Sequence, residues 1–592
     1  MRGGQQWRRG GYLALWVLAL WLTAPAAWGK GAVSVTISGV HGQIADNVRA
    51  FLSLDKQTVK AGDADTVQRL YQRAPREIRD ALQPYGYYEP SIASQLKRNG
   101  GRWQATFHIQ PGPPTTIRKL EVKVVGPGSG ERRFKKVLRS DQMKVGERLI
   151  QSQYKSLKSA LSQAAYQGGF LQAKFQKSTI RVYPKQQRAD VALVLDTGPL
   201  YFFGQTTIHQ KILAPAFVQR YVPFKPGQRF DPSKLLDLQF ALSDTEYFSS
   251  VEVNVEKDKA KPASGSGGDA LRVPISVSTT PKEPQKYTAG VGYGTDTGPR
   301  VRGSIALRRI NRYGHSFETS LYLSQIAKQI TAQYKIPVRN VRTDNLTFSG
   351  TYADREYGDG RSRREQLDTR FNTLWHNWHR ALYLKFDREH YEFSGQSELA
   401  YELAPGFTLS RTVADNLMHP RRGWSASLDV HGANRHVASS LTYLQEEITG
   451  HGVLPLGSRA RLLLRTDAGF TQFAALDSLP ASERFFAGGS RSVRGYSYQS
   501  LGERNASGDV IGGRYLLVGS AEVDFRVYGN WGVAAFFDAG NASNYFPPTL
   551  KKGVGIGLRY ASPVGMIRVD LAHPLDPPRV PVRLHISIGP DL

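Results

Sequence analysis

Apolar and polar residues alternate strictly through the second half of the chain. The pattern is clearest in five segments near its end, at positions 514–527, 531–538, 554–560, 567–571 and 582–588. Alternation with a period of two is the signature of a half-buried β-strand. From about residue 285 onward, about sixteen such segments are separated by Gly, Asn, Asp or Pro, which predicts a meander of antiparallel strands.

Strands with one apolar face and one charged face fit two environments. In 514–527, Glu522 and Asp524 alternate with Val523 and Phe525. A soluble sandwich would turn the apolar face inward, whereas an outer-membrane barrel would turn it toward lipid and its polar face toward a wet lumen. Roughly 300 residues of meander are too many for one sandwich, and strands near ten residues suit a tilted membrane crossing. The sequence therefore favours a transmembrane β-barrel of about 16 antiparallel strands.

The first half of the chain has a different organisation, with an internal repeat of roughly 80–90 residues. Each unit opens with a strand and closes with two more, and the first two units end in Gly-Pro at 112–113 and 198–199. Apolar residues three and four apart predict helices between these strands. The predicted helices cover 66–82, 152–165 and 232–245. The first half is thus expected to be α+β, with three domains in the order strand, helix, helix, strand, strand.

Domain boundaries follow from these repeats. The predicted domains are 30–113, 114–199, 200–284 and the barrel at 285–592. A hairpin beside the opening strand leaves an unpaired sheet edge in each repeat, and such an edge can accept a strand from another chain. The repeats are therefore expected to bind a partner rather than to act as inert spacers.

The first 29 residues have the composition of a secretory signal peptide. Arg2, Arg8 and Arg9 precede an apolar core at 12–22, and small residues lead to a cleavage site after Gly29. This core is about a dozen residues long, whereas a membrane anchor needs about 20. We therefore expect a cleaved signal peptide and an exported protein.

Composition narrows the chemistry. The 592 residues include 78 Lys and Arg against 50 Asp and Glu, which gives a formal net charge of +28, and no cysteine. The lack of cysteine excludes disulfides, thiol nucleophiles, cysteine zinc sites and iron–sulfur clusters. The basic residues are scattered, many at apparent strand ends, so they favour contact with outer-membrane lipid or lipopolysaccharide over nucleic acid.

No catalytic constellation is visible in the sequence. Gly-x-Ser-x-Gly, His-Glu-x-x-His and P-loop motifs are all missing, so we expect neither an enzyme nor a cofactor. His376 and His379, with His390, resemble a metal cluster at first sight. On a strand, however, residues three apart point to opposite faces, so no metal site is predicted.

The longest stretch without alternation in the second half covers residues 471–513. It contains the tetrapeptide Val493-Arg494-Gly495-Tyr496, and its aromatic residues and glycines favour a loop folded against the lumen over a disordered one. In a lumen, a poorly solvated guanidinium requires a carboxylate partner. Glu522 and Asp538 lie on the polar faces of the two following strands. The sequence predicts that Arg494 pairs with them and fixes the loop, an arrangement we call the arginine lock.

Several motifs together resemble the outer-membrane assembly-factor superfamily of BamA/TamA-like proteins. They are the loop with Gly488, Gly489 and Val-Arg-Gly-Tyr, the strand with Glu522, the segment 536–541 (Phe-Phe-Asp-Ala-Gly-Asn), and the Gly-rich strand 555–565 followed by Arg568-x-Asp570. The three repeats and the ending Leu584-His-Ile-Ser-Ile-Gly-Pro-Asp-Leu592 are most similar to the TamA-type subunit of the translocation and assembly module. The resemblance covers essentially the whole mature chain.

This resemblance implies periplasmic polypeptide-transport-associated (POTRA) repeats followed by a sixteen-stranded barrel in the outer membrane. It implies that Arg494 is the lock arginine, with Glu522 and Asp538 as its partners. Gly488, Gly489 and Gly495 would allow tight turns in the loop. It also implies that the first and last strands meet at a seam that opens laterally. Three glycines on the first strand would weaken this seam: Gly290, Gly292 and Gly294.

The function implied is the insertion or secretion of β-rich clients such as autotransporters. The expected partners are a large TamB-like periplasmic protein bound through the repeats, and unfolded outer-membrane clients. Two alternatives remain open. A two-partner secretion exporter would share the loop and the barrel but usually carries two repeats. A passive porin would leave the three repeats unexplained.

Overall fold

The computed structural model describes residues 33–56, 63–99, 102–141, 143–263, 270–563, 565–577 and 582–589. The predicted signal peptide, 1–29, lies outside the described residues. The chain forms two compact units. Of the described residues, the first unit contains those up to Gly204, Gly227–Ser233 and those between Asp258 and Val273, and the second contains Gln205–Pro226, Lys234–Lys257 and those from Pro274 onward. The third repeat is therefore divided between the two units.

The first repeat is built around a three-stranded sheet. Its elements are β1 (Val33–Ser38), α1 (Gly42–Phe51), α2 (Ser53–Lys56), α3 (Ala64–Leu82), β2 (Ser91–Asn99) and β3 (Arg102–Gln110). The strand order is β1-β3-β2, with β1 parallel and β2 antiparallel to β3. The Asp63 carboxylate caps α3 by accepting the N–H of Thr66 at 3.0 Å. Leu70 and Ile78 then pack in one core with Phe107 of β3. Because β3 is the central strand, β1 and β2 are the edge strands of this sheet.

The second and third repeats have the same plan. The second contains β4 (Thr116–Val125), α4 (Arg132–Arg139), α5 (Gln151–Gln167), β5 (Lys174–Tyr183) and β6 (Arg188–Asp196). The third contains β7 (Tyr201–His209), α6 (Pro215–Gln219), α7 (Pro232–Ser243), β8 (Phe248–Val255), β9 (Lys261–Pro262) and β10 (Leu271–Pro281). Their sheets have the orders β4-β6-β5 and β7-β10-β8. The predicted order of strands and helices is confirmed, with two additions: the short helix α2 in the first repeat and the two-residue strand β9 in the third. None of the helices in the described ranges is long and apolar enough to cross a membrane.

Sixteen antiparallel strands form the second half of the chain, which confirms the predicted barrel. They are β11 (Gln285–Gly294), β12 (Gly298–Leu307), β13 (Ser316–Ser324), β14 (Ala327–Pro337), β15 (Asn345–Tyr357), β16 (Gly360–Trp375), β17 (Trp378–Phe393), β18 (Gln396–Ala414), β19 (Gly423–Ala433), β20 (Tyr443–Leu456) and β21 (Ala460–Gln472). A loop that contains the short strands β22 (Glu503–Arg504) and β23 (Val510–Gly512) follows. The barrel then continues with β24 (Tyr515–Tyr528), β25 (Trp531–Ser543), β26 (Lys551–Ser562), β27 (Gly565–Pro574) and β28 (Arg583–Gly589). Every barrel strand pairs with the next one along the chain, and β21 pairs with β24.

Burial along the barrel strands is inverted relative to a soluble protein. On β24, Val523 and Phe525 are 42% and 45% exposed, whereas Glu522 and Asp524 are 6% and 7% exposed. A soluble sandwich would bury the apolar side chains and leave the charges in water. The observed arrangement is that of a barrel whose outer face contacts lipid and whose charged groups line the lumen.

The first and last strands lie at the two ends of the sheet order. Among the described residues, no register of paired residues joins β11 to β28, in contrast to every other neighbouring pair of barrel strands. The N–H of Thr295, just after β11, donates to the carbonyl of Ile586 at 3.4 Å, and the N–H of Ile586 donates to Thr295 Oγ1 at 3.2 Å. We call this junction of β11 with β28 the seam. The barrel is therefore nearly closed.

Candidate functional site

The loop between β21 and β24, residues 473–514, folds into the barrel, and we call it the lumenal loop. Its apolar side chains form a small core with the wall, in which Val493 and Tyr496 are buried beside Val518 of β24. The Tyr496 hydroxyl donates to the carbonyl of Asp576 at 3.0 Å. Phe485 and Tyr496 are thus packed rather than solvated, as an ordered loop requires, whereas Phe473 and Tyr498 are exposed.

Arg494 lies at the centre of a buried group of carboxylates. Its Nε is 2.7 Å from Asp538 Oδ2 and its Nη2 is 2.9 Å from Asp538 Oδ1, which gives a bidentate pair. Its Nη1 is 2.5 Å from Glu522 Oε2. The guanidinium carbon also lies 3.4 Å from the centre of the Phe536 ring. The structure thus brings together the three residues that the sequence singled out.

Two further residues complete this group, and sequence reasoning did not assign them to it. Asp570 Oδ2 lies 3.1 Å from Arg494 Nη1. Arg559 Nη2 lies 2.7 Å from Glu522 Oε1, and its Nη1 donates to Asp570. The signal was available, because Arg559 and Asp570 both occupy polar positions in the alternating strands β26 and β27. We call these five residues the arginine anchor.

The carboxylates of the arginine anchor stabilise the positive charge of Arg494. Burial alone would lower the pKa of the Arg494 guanidinium. The hydrogen bond and charge of Asp538, together with Glu522 and Asp570, instead raise this pKa above its usual range. Arg494 therefore stays cationic although its side chain is only 4% exposed.

The predicted turn glycines all lie in left-handed backbone. Gly488, Gly489 and Gly495 have φ of 99°, 105° and 96°. At Gly495 a Cβ would also lie 2.9 Å from the backbone nitrogen of Pro574, so a side chain there would both strain and displace the chain. These turns set the path of the lumenal loop on both sides of Arg494.

A second attachment point lies on β17 and β19. Glu483 of the lumenal loop is 4% exposed, and its carboxylate lies 2.9 Å from Lys385 Nζ and 2.8 Å from His431 Nε2. Burial alone would raise the pKa of Glu483, but the charges of Lys385 and His431 lower it well below its usual range. We call these three residues the glutamate anchor. The two anchors have opposite polarity, since the loop supplies the cation in one and the anion in the other.

Glu483 of the glutamate anchor also belongs to a cluster of carboxylates that resembles a metal site. Asp387, Glu402 and Glu483 bring three carboxylates within reach of one another. The Lys385 ammonium, however, lies 3.0 Å from Glu402, 2.9 Å from Glu483 and 3.6 Å from Asp387, so the cluster already contains a cation.

The sequence placed His376 on a strand, but the structure places it in the tight turn between β16 and β17, where its φ is 47°.

The lumenal loop also contacts both sides of the seam. The N–H of Ser490 donates to Asp296 Oδ2 at 2.8 Å, next to the end of β11. The Ser490 hydroxyl lies 3.2 Å from Nδ1 of His585 on β28, and the N–H of Gly495 donates to Nε2 of the same ring at 3.0 Å. We call these contacts the clasp. Because Gly495 follows Arg494 directly, the arginine anchor positions one half of the clasp.

Replacement of Glu483 by glutamine should loosen the second attachment without unfolding the barrel. The amide keeps the shape of the side chain, and Lys385 keeps Glu402 as a partner. The single amide oxygen can accept from only one of the two donors, Lys385 and His431, and the loss of the other hydrogen bond is expected to reduce the free energy of unfolding by about 1.5–3 kcal/mol. The measurement is the midpoint of the heat-induced mobility shift of the folded barrel on a gel. Glu365→Gln is the control, because Glu365 pairs with Arg388 on the surface, where both side chains are 57% exposed. Equal shifts in the two variants would contradict the glutamate anchor.

Two family models match the chain. The model described as the Omp85 superfamily domain matches residues 282–590. The model described as POTRA domain, TamA domain 1, matches residues 34–111. The first match covers the barrel with both sides of the seam and both anchors, and the second covers the first repeat.

The relatives and solved structures agree with these matches. An outer membrane protein assembly factor BamA from Nitratidesulfovibrio vulgaris is 23% identical over 502 residues, which are 80% of this chain and 61% of the relative. A SAM50-like protein from Schizosaccharomyces pombe is 23% identical over 359 residues, or 54% of this chain and 74% of the relative. The crystal structure of BamA from Haemophilus ducreyi lacking POTRA domains 1–3 superposes with a TM-score of 0.66 at 15% identity, over 80% of this chain and 99% of that one. The chain thus spans about three fifths of the length of the first of these relatives.

Proposed function

The chain belongs to the Omp85 superfamily, and from this premise we propose that it is an assembly factor that inserts or secretes β-rich clients such as autotransporters. Its barrel lies in the outer membrane, and its POTRA-like repeats lie in the periplasm. The TamA-type first repeat supports a more specific proposal, that the chain is the TamA-like subunit of a translocation and assembly module.

The observation that carries this proposal is the seam. A barrel strand that lacks a paired neighbour exposes a row of backbone donors and acceptors to the next strand that arrives. In the proposed mechanism, the seam opens and the edge of β11 pairs with a client strand by β-augmentation. Gly290, Gly292 and Gly294 weaken β11, because a glycine within a strand has no side chain to pack.

The lumenal loop has the proposed role of holding the seam in a defined state. The arginine anchor fixes Gly495, and the clasp then joins Asp296 to His585 through Ser490 and Gly495. Release of this loop would remove the polar contacts that supplement the few hydrogen bonds of the seam. The residues Val493, Arg494, Gly495, Tyr496, Glu522 and Asp538 thus form a mechanical lock in this proposal and not a catalytic site.

The repeats are proposed to bind a large TamB-like periplasmic protein. Strands β1 and β2 of the first repeat have free edges that suit β-augmentation by such a partner. The mechanism uses no nucleotide. In the proposal, its energy comes from the folding of the client or through the periplasmic partner.

Site-specific photocrosslinking in native envelopes tests the proposed function. One benzophenone replaces Ser34 on the edge strand β1, and another replaces Tyr287, which is exposed on the outer face of β11. We expect one large periplasmic protein at the first position and outer-membrane barrels or autotransporters at the second. A probe at Arg73, exposed on α3, is the control that should capture neither.

The alternatives predict other results in the same experiment. A single secreted protein at Tyr287, together with no large periplasmic partner at Ser34, would favour a two-partner exporter. No specific product at either position would contradict the assembly function and favour a passive pore.

A further inference from the structure

A cavity of about 570 Å³ lies behind the seam, between β11–β15 and the lumenal loop, and we call it the seam cavity. Four arginines line it, namely Arg300, Arg302, Arg355 and Arg491, and no aspartate or glutamate is among its lining residues. Arg302 and Arg491 are exposed and Arg300 and Arg355 are half-buried, so these guanidinium groups repel one another across the cavity without a carboxylate between them. The cavity is therefore built to receive an anion.

The surrounding groups leave this positive charge largely uncompensated. Partial desolvation, with the charges of Arg568 and Arg300, lowers the pKa of Arg491. Asp296 is the carboxylate that acts on Arg491, and it already accepts the N–H of Ser490 in the clasp. Arg302 lies over the Tyr322 ring. An incoming negative group would relieve this repulsion.

The glycines of β11 connect the cavity to the seam. Gly290 faces Arg302 and Gly292 faces Arg300 in the register between β11 and β12. A Cβ on Gly292 would lie 2.9 Å from Arg300 Nε, so the arginine side chain extends across the glycine toward the free edge. A Cβ on Gly290 would meet nothing within 4 Å. The first strand thus carries no side chain that separates these arginines from the edge of the sheet.

A strand added to β11 would lie about 5 Å from it and about 10 Å from β12. Its side chains would alternate between lipid and lumen, so those opposite the glycines would enter the seam cavity. We infer that the seam cavity selects client strands whose lumen-facing positions carry acidic side chains, which pair with Arg300 and Arg302. This inference rests on the proposed function and specifies the class of client segment that the seam accepts.

Charge and position favour a client strand over a lipid headgroup as the anion. The arginines lie on the lumenal face of β12, on the same side as the polar face of any strand that pairs with β11. The outer face of β11 carries Tyr287 and Val291 instead, which are 69% and 89% exposed and suited to acyl chains. The acidic side chains of a paired strand would enter the cavity directly. A lipid headgroup would first have to cross the barrel wall to reach it.

The test uses the full-length chain in phosphatidylcholine nanodiscs, with a benzophenone in place of Tyr287. The probes are three synthetic strand peptides of about ten residues, with alternating valine on one face and Glu, Gln or Lys on the other. We expect the Glu peptide to crosslink about tenfold more than the Gln peptide, as two cross-strand pairs of opposite charge would give. In Arg300→Glu/Arg302→Glu, the preference should change to the Lys peptide. Arg361→Gln, at a surface pair with Asp354, should keep the original preference.

Three outcomes would overturn the inference. Equal crosslinking of all three peptides would remove the selection while leaving the proposed function intact. An unchanged preference in the charge-reversal variant would place the selection elsewhere. Loss of the Glu preference in phosphatidylglycerol nanodiscs would mean that lipid phosphate occupies the arginines. Failure of every peptide to crosslink at Tyr287, with no client captured there in envelopes, would count against the proposed function itself.

Discussion

Replacement of Arg494 by alanine should abolish assembly activity and lower the free energy of unfolding of the barrel by about 3 kcal/mol or more. The reason is Asp538, which is fully buried and would lose the guanidinium while it keeps two neutral donors, Ser520 Oγ at 2.6 Å and the backbone N–H of residue 494 at 3.0 Å. Removal of one partner from a buried ion pair typically costs about 3–5 kcal/mol, because the other charge stays buried without compensation. The measurements are the thermal midpoint of the gel mobility shift and the insertion of a client barrel into vesicles.

The matched control is Arg361→Ala. Arg361 also forms a bidentate pair with an aspartate, Asp354, but its side chain is 53% exposed and the pair is worth about 0–1 kcal/mol. Assembly and thermal midpoint should stay close to those of the parent. If Arg494→Ala and Arg361→Ala are equally harmless, the lock hypothesis fails.

A double variant separates the loss of the arginine from the exposure of its partner. Arg494→Ala/Asp538→Ala removes both charges of this bidentate pair, so that Asp538 no longer remains as a buried carboxylate without its guanidinium. The double variant should therefore be more stable than the single variant at Arg494. Its activity should remain low, because the lumenal loop still lacks its attachment beside Gly495. Recovered stability together with recovered activity would instead mean that Arg494 acts on folding alone.

The sequence was sufficient to predict the barrel and part of the arginine anchor. Alternation marks strands whatever their partners. The long stretch before β24 also contains Arg484, Arg491 and Arg504, and the Val-Arg-Gly-Tyr tetrapeptide is what distinguishes Arg494 from them. Asp570 was missed as a partner because strand order alone does not tell how far a guanidinium reaches across β26. Gly553 of that strand makes room for the loop, since a Cβ there would lie 2.0 Å from the Arg494 carbonyl.

The glutamate anchor and the clasp could not be predicted in this way. Glu483 meets Lys385 and His431 across the lumen, and nothing in the local sequence indicates which of the distant strands a loop residue will face. The clasp depends on Ser490 and His585, which have no distinctive spacing. Contacts of this kind arise only when the barrel closes, because closure sets the distance between its two walls.

A disulfide across the seam should block assembly reversibly. The seam joins Thr295 to Ile586 through hydrogen bonds of 3.4 and 3.2 Å, which puts the two residues side by side. The chain has no cysteine of its own, so Thr295→Cys/Ile586→Cys leaves one possible pair. If a client strand must pair with β11, the oxidised variant should insert clients at least about tenfold more slowly than the reduced one. The measurement is client insertion into vesicles before and after treatment with a reductant.

The control places the same covalent link one strand away. Thr288 and Ser304 face each other in the ladder between β11 and β12, so Thr288→Cys/Ser304→Cys ties two strands that stay paired in every proposed state. Its oxidised form should insert clients at the parent rate. Equal inhibition in both variants would mean that any stiffening of β11 is harmful. Full activity of the oxidised seam variant would mean that clients enter by a route other than β11 and β28. If only the seam variant is inhibited, and reduction restores its activity, then β11 and β28 must separate during assembly.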